Sequence, residues 1–404
     1  MCGAIAAKLD QPVLVGEILA GVAIGLVSVQ FGGGLAITAN DEDHHLMALA
    51  DLGIFFLMLL GGFEMRPRDL AESSREGFAI ALFAMLLPLI GGFFIGWQWL
   101  PQSELKLAQA LFIGTALAIT AVPVTIRVFH DFHMLKTHIG KVVISAAVFD
   151  DLLSLILLSV LIAIINTGEL PGFISLGIIG IRVLAFLLVA FIAGQYLMKP
   201  LARFIATSAV EQMPFSFLLL MGIALALVAE LLGLHFILGA FAAGLFFGKH
   251  TVNKKVYKDL HVKLSAITSG FLAPIFFASI GLQMDLSALL EVPGFFLLLT
   301  VFAFLGKLVG AAIPAIFSGN SIRDAGLIGM AMNARGAVGL IVAGIALDAG
   351  LFAYEGESAL VENLFSTIVL VVIVTTIITP LGMRLFLRRF FTEEIERTNR
   401  IQTG

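Results

Sequence analysis

QPVLVGEILAGVAIG, residues 11–25, recurs later in the chain as LHFILGAFAAGLFFG, residues 234–248, with Gly16, Gly21 and Gly25 falling on Gly239, Gly244 and Gly248. The similarity continues on both sides of the copy. Ile54-Phe55-Phe56 followed by Gly62-Phe63-Glu64-Met65 resembles Ile275-Phe276-Phe277 followed by Gly281-Leu282-Gln283-Met284, and residues 111–121 (LFIGTALAITA) resemble 326–336 (GLIGMAMNARG). Self-similarity at this separation marks an internal duplication. Its geometry depends on how often the chain crosses a membrane between the copies.

That a membrane is involved follows from composition. Of 404 residues 59% are hydrophobic and only 13% charged, with a mean hydropathy of +1.05, whereas a water-facing domain carries roughly 25% charge. A net charge of −4 gives no basic surface for nucleic acid. One cysteine, Cys2, allows no internal disulfide.

A bilayer-spanning helix needs about 20 apolar residues, and the chain divides into twelve such spans. They are 11–27, 46–62, 77–97, 107–128, 140–164, 173–198, 214–232, 234–248, 266–284, 293–317, 325–347 and 364–387. Positive charge orients them. Lys8, Arg66, Arg68, Arg75, Arg127, Lys136, Lys141, the lysines of 249–263 and the arginines after Arg384 all fall on one side; Lys106 and the acidic 41–43 loop fall on the other. Both ends are therefore expected to be cytoplasmic. The apolar start, Met1 to Ala7, reads as the end of a truncated first helix.

The first span then matches the eighth, which crosses in the opposite direction, so the repeat is inverted. Such repeats mark secondary transporters, whose halves exchange inward-open for outward-open states. The expected divisions are 1–165 for the first repeat, 166–210 for a linker helix, 211–390 for the second repeat and 391–404 for a cytoplasmic tail.

Ionisable residues within spans are costly and mark functional sites. Asp150 and Asp151 lie about 16 Å into the fifth span at 1.5 Å per residue, near the bilayer midplane, and point roughly 100° apart. Lys307 lies at comparable depth in the tenth span and needs a counter-charge, which Asp150 supplies; the other reading has Lys307 reaching back to the cytoplasmic surface. In the fourth span, Thr120-Ala121-Val122-Pro123-Val124-Thr125 carries a proline that breaks helical hydrogen bonding. At the matching place of the eleventh span stand Asn333-Ala334-Arg335-Gly336. Two interrupted helices in corresponding positions point to a transport site, where freed carbonyls and half-helix ends face an ion; Arg335 is then expected to neutralise the facing half-helix C-terminus. Glu17, Glu230 and Arg182 are weaker candidates, and the eight histidines show no metal-ligand spacing.

At these residues the chain resembles the monovalent cation/proton antiporters of the Kef and NapA-type branch. The resemblance rests on QPVLVGEILAG, on GGFEM at 61–65, on the broken fourth span, on Asp150-Asp151, on Lys307 and on Asn333 to Gly339. It implies an all-α polytopic NapA/NhaA-like fold of six-plus-six inverted repeats with two crossed discontinuous helices. It further implies an elevator-like homodimer in a bacterial inner membrane. By resemblance Asp151 is the principal ion-binding aspartate, Asp150 the aspartate paired to Lys307, and Thr120 a polar ligand of the broken helix, with Pro123, Thr125, Asn333 and Arg335 supporting the breaks. Kef-type systems carry Gln-Asp where Asp150-Asp151 stand, and continue into a nucleotide-binding domain. The chain therefore reads as a sodium exchanger, or as a potassium exchanger without its cytoplasmic regulatory domain.

The function expected is exchange of Na⁺ or Li⁺ for H⁺, with proton and cation competing for carboxylates that are expensive to leave bare in low dielectric. No cofactor is implied, and the reading is of a transporter, not an enzyme: an intramembrane aspartyl protease needs its acids on two helices. A K⁺/H⁺ exchanger, a cation channel and a proton-coupled carrier of organic anions remain as alternatives.

Overall fold

The computed structural model describes residues 2–9, 11–30, 44–65, 75–120, 125, 128–129, 132, 134, 137–167, 173–198, 201, 212–247, 252–353 and 358–391. Pro123, the acidic 41–43 loop, the tail 392–404 and many of the basic residues that orient the spans lie outside them. The helices are α1 (Cys2–Lys8), α2 (Val13–Gln30), α3 (His44–Glu64), α4 (Arg75–Trp99), α5 (Lys106–Ala118), α6 (His138–Thr167), α7 (Phe173–Ile192) and α8 (Met213–Leu231). They continue with α9 (Phe236–Phe246), α10 (Lys254–Ile267), α11 (Ala273–Leu282), α12 (Pro293–Phe317), α13 (Ile322–Ala331), α14 (Ala337–Asp348) and α15 (Leu364–Phe390). No strand occurs among the described residues, as hydrocarbon demands of a chain that satisfies its backbone within each segment.

Among the described residues, seven helical stretches are long and apolar enough to cross a bilayer, and 13–27, α5, α9 and α14 are shorter apolar helices. The ninth expected span differs most from expectation. Its helix begins at Lys254, not Ala266, and runs through a π-helical stretch at Thr268–Leu272 into α11. The lysine-rich stretch read as loop is a helix with its basic residues outward, capped where the Asn253 side chain accepts from the Val256 N–H at 2.9 Å.

The described chain forms two compact units. One comprises Met1–Gly16, Ser73–Leu170 and Met284–Gly404, the other Glu17–Glu72 and Pro171–Gln283. Each draws segments from both halves of the sequence.

In the first unit α4 turns small residues inward (Gly77, Ala81, Ala84, Gly92, Gly96) and large ones outward (Phe78, Phe83, Leu87, Ile90, Phe94). This inversion of the soluble pattern lets backbones approach while lipid takes the bulk. In α12 the buried stripe runs Phe295, Leu299, Ala303, Lys307, Ala311, Ala315, whereas Leu297, Val301, Leu305, Val309 and Ile313 are exposed. Lys307 therefore occupies the interior stripe and does not reach for the surface. α15 is buried along most of its length, with Thr367, Thr375, Thr376 and Thr379 among its inward residues.

In the second unit two helix contacts are set by glycine. A Cβ on Gly21 would collide with the Ala278 backbone and one on Gly281 with that of Ile18; likewise Gly62 against Phe241 and Gly244 against Leu59. So α2 lies against α11 and α3 against α9 at backbone distance. Under the sequence alignment Gly21 corresponds to Gly244 and Gly62 to Gly281, so the two contacts are counterparts of each other.

Candidate ion site

The candidate site lies within the first unit, near the ends of two helices. α5 stops at Ala118, and Ile119 leaves it in extended conformation (φ −73°, ψ 139°). α13 stops at Ala331, and a non-helical run at 332–336 precedes α14. Ended helices present backbone N–H and carbonyl groups without helical partners. Each of those named below is taken up by a side chain.

Asp150, on α6, is fully buried. Its Oδ2 accepts the Thr120 N–H, released by the end of α5, at 3.0 Å. Its Oδ1 lies 3.2 Å from Nζ of Lys307, also fully buried. Lys307 donates in addition to the Ala118 carbonyl. Arg335, 1% exposed, donates through Nη1 to the Ala116 carbonyl at 2.8 Å and through Nη2 to that of Ala303 at 3.0 Å. Two cationic side chains thus cap the C-terminal carbonyls of α5, the negative end of its dipole. Asn333 holds the other wall, its Nδ2 donating to the Phe304 carbonyl at 2.6 Å.

Both oxygens of Asp150 are therefore committed, one to a backbone amide and one to an ammonium. Breaking such a buried pair from one side costs about 3–5 kcal/mol, because the remaining charge has no solvent. Asp151, the next residue on the helix, is half-buried and has no hydrogen-bonding partner among the described residues. The two adjacent carboxylates have different situations. Asp150 is a fixed counter-ion, and Asp151 has its oxygens available to a ligand.

The threonines complete the geometry. Thr120 donates its hydroxyl to the Met332 carbonyl at 3.3 Å and Thr125 to that of Ala331 at 2.6 Å, stitching the end of α5 to the end of α13. With its proton so engaged, the Thr120 oxygen keeps lone pairs for a cation. Both threonines, with Ala147 one turn before Asp151 on α6, line a closely packed crevice with no room for a water molecule.

The structure brings Asp150, Lys307 and Thr120 into direct contact and places Arg335, Asn333 and Thr125 around them. The weaker candidates lie elsewhere. Glu17 and Arg182 belong to the second unit, where the Arg182 guanidinium sits against Gly233 in the turn between α8 and α9. Among the described residues no group of histidine, cysteine and carboxylate is arranged to hold a metal. Reading the sequence missed two residues of α15 that touch the second break, Thr376 and Thr379, and the buried Ser154 one turn beyond Asp150, whose hydroxyl has no partner. The signal was present as hydroxyls at helical spacing in an apolar span.

Known proteins resemble the chain along nearly its full length. The Na⁺/H⁺-K⁺ antiporter GerN of Bacillus cereus is 30% identical over 385 residues, 94% of this chain and 91% of that one. A Na⁺/H⁺ antiporter of Enterococcus hirae is 29% identical over 392 residues, 96% of this chain and 94% of its own. Cation/H⁺ antiporter 15 of Arabidopsis thaliana is 29% identical over 92% of this chain, which corresponds to 44% of the plant protein. Among solved structures, the sodium proton antiporter MjNhaP1 of Methanocaldococcus jannaschii superposes with a TM-score of 0.73 at 18% identity, over 96% of this chain and 94% of that one. That likeness shows a common fold. Residues 1–389 match the transmembrane sodium/hydrogen exchanger family throughout, and the chain belongs to that family of monovalent cation/proton antiporters.

Proposed function

We propose that the protein exchanges Na⁺ or Li⁺ for H⁺ at Asp151 and Asp150, with Lys307 as the charge that moves aside. The observation that carries this reading is the inequality of the two carboxylates. Asp150 is held by Lys307 and the Thr120 N–H, and Asp151 beside it makes no hydrogen bond among the described residues. A dehydrated monovalent cation needs hard oxygen ligands. Asp151 and the Thr120 hydroxyl offer them, and a cation that also reaches Asp150 competes with the Lys307 ammonium. A proton on Asp151 satisfies the same site without a cation, so the two ions exclude each other. If Lys307 also yields a proton when displaced, more than one proton moves per cation and exchange is electrogenic. Lys307→Gln is then expected to be electroneutral, read as loss of the membrane-potential signal from a dye.

The same reading takes α5 with the residues after it, and α13 with α14, as two crossed discontinuous helices. They belong to twelve spans with both ends cytoplasmic, in a bacterial inner membrane. The paired glycine contacts of the second unit support the inverted repeat, since span one against span nine is the counterpart of span eight against span two. The division into two units, each drawn from both halves, suits an elevator in which one unit carries the site and the other forms the homodimer.

A second reading keeps the site and changes the cation to K⁺. It is favoured by the Bacillus cereus relative, a Na⁺/H⁺-K⁺ antiporter. Proteoliposomes with an internal pH dye, challenged with Na⁺, Li⁺ and K⁺ across a pH series, separate the two. Dequenching by Na⁺ and Li⁺ supports the first reading, and dequenching by K⁺ alone the second. Discrete single-channel currents would overturn both.

A further inference from the structure

The backbone around the second break is held almost wholly by threonine. Four carbonyls, those of Ala331, Met332, Asn333 and Arg335, each lie within hydrogen-bonding reach of a threonine hydroxyl. The donors are Thr125 at 2.6 Å, Thr120 at 3.3 Å, Thr379 at 3.2 Å and Thr376 at 3.0 Å. The first two come from the α5 side and belong to the site already described. The other two come from α15, are completely buried, and reach the carbonyls of Asn333 and Arg335, the residues whose side chains wall and cap the site.

Each α15 hydroxyl has a second acceptor on its own helix. Thr376 lies 2.6 Å from the Val372 carbonyl and Thr379 2.7 Å from that of Thr375. A hydroxyl has one proton and donates it to one acceptor at a time. Either threonine can therefore hold the broken run, or let it go and turn to its own helix, and no hydroxyl is left unpaired in an apolar interior. Pro380, within α15, falls next to this contact. It has no N–H for the Thr376 carbonyl, which leaves α15 less regular just where it meets the run.

We propose that Thr376 and Thr379 are positioning residues of the exchange site. Through the Asn333 and Arg335 carbonyls they set the run from which Arg335 reaches Ala116 and Asn333 reaches Phe304. That in turn places the Arg335 guanidinium on the Ala116 carbonyl, next to the Ala118 carbonyl that Lys307 takes. Because each hydroxyl has a fallback acceptor, the hold is reversible, and the run can shift during a transport cycle without the cost of a buried unpaired donor. The proposal rests on the exchange reading above.

The test compares Thr376→Val/Thr379→Val, which keeps volume and removes both hydroxyls, with Thr376→Ser/Thr379→Ser, which keeps them. Each is reconstituted beside the wild type, and apparent KM for Na⁺ or K⁺, maximal rate, pH profile and melting temperature are recorded. The valine pair is expected to raise KM roughly tenfold, the weight of two ordinary hydrogen bonds, and to displace the pH profile, with the serine pair within about twofold of wild type. Valine variants with wild-type KM and pH profile would overturn the proposal, as would a serine pair as impaired as the valine pair. A lower melting temperature and rate with KM and pH profile unmoved would show a merely structural role and overturn it too. If the valine pair does not fold, the single Thr379→Val is judged by the same readouts. A wild type that exchanges no cation would sink the exchange reading itself, a result separate from any difference among the variants.

Discussion

The two units are built on different interiors. Among the described residues the first buries Asp150, Lys307, Arg335, Lys106, Asn333, Gln109 and a series of threonines and serines; the second buries only Thr268 and Ser279 as polar side chains. Those two are satisfied within the unit, Thr268 by the Phe56 carbonyl across to α3 and Ser279 by that of Phe276 on its own helix. Both units bring helices together at glycine, Gly114 against Leu89 and Gly329 against Leu308 in the first, but in the second the glycine contacts of α2 with α11 and of α3 with α9 are surrounded almost wholly by apolar side chains. A unit that must hold charge in hydrocarbon needs its charged groups tied into a hydrogen-bonded network, as Asp150, Lys307 and Arg335 are here. A unit that only has to stay rigid gains more from close van der Waals packing. The difference suits the proposed function, in which the first unit carries the chemistry and the second supports it.

Substitutions in the two units should therefore fail in different ways. The largest effect is expected at the buried pair. Asp150→Asn leaves the Lys307 ammonium without its counter-charge and should lower stability by about 3–5 kcal/mol, read as a large fall in melting temperature in detergent. Adding Lys307→Gln should recover much of that loss, since removing both charges also removes the burial penalty; a double variant as unstable as the single would contradict the pairing. Next in size, Gly62→Val in the second unit forces α3 from α9. It should cost about 1–3 kcal/mol by overpacking while leaving the cation KM of the folded fraction unchanged; a shifted KM would break the division of labour. The smallest is Asn253→Ala, which removes the cap of α10 for about 1 kcal/mol with no change in exchange, checked by thermal melts and a transport assay together.

Much of the site was legible in sequence because charge is conspicuous in an apolar chain. Lys307 falls in an otherwise apolar span, and its place on the Phe295–Ala315 stripe can be read from spacing alone. Asp150-Asp151 is equally plain. Their inequality is not, because it depends on which carboxylate meets the end of α5, a tertiary fact. Thr376 and Thr379 were overlooked for a physical reason: a threonine within a helix can bond to its own i−4 carbonyl and so costs little in a span. The stretch before residue 266 falls outside the expected spans because its lysines mask a helix whose apolar face, with Leu260 and Leu264 buried, is narrow. The interleaving of the halves into two units has no local signature; it comes from contacts between segments far apart in sequence.

The central claim is that Asp151 carries the exchanged ion while Asp150 is fixed by Lys307. Asp151→Asn tests it most directly, because among the described residues Asp151 makes no hydrogen bond and the variant should fold as the wild type does. In proteoliposomes the account predicts an unchanged melting temperature and no cation-driven dequenching of an internal pH dye at any pH or with any monovalent cation. Exchange at a rate near that of the wild type would contradict it.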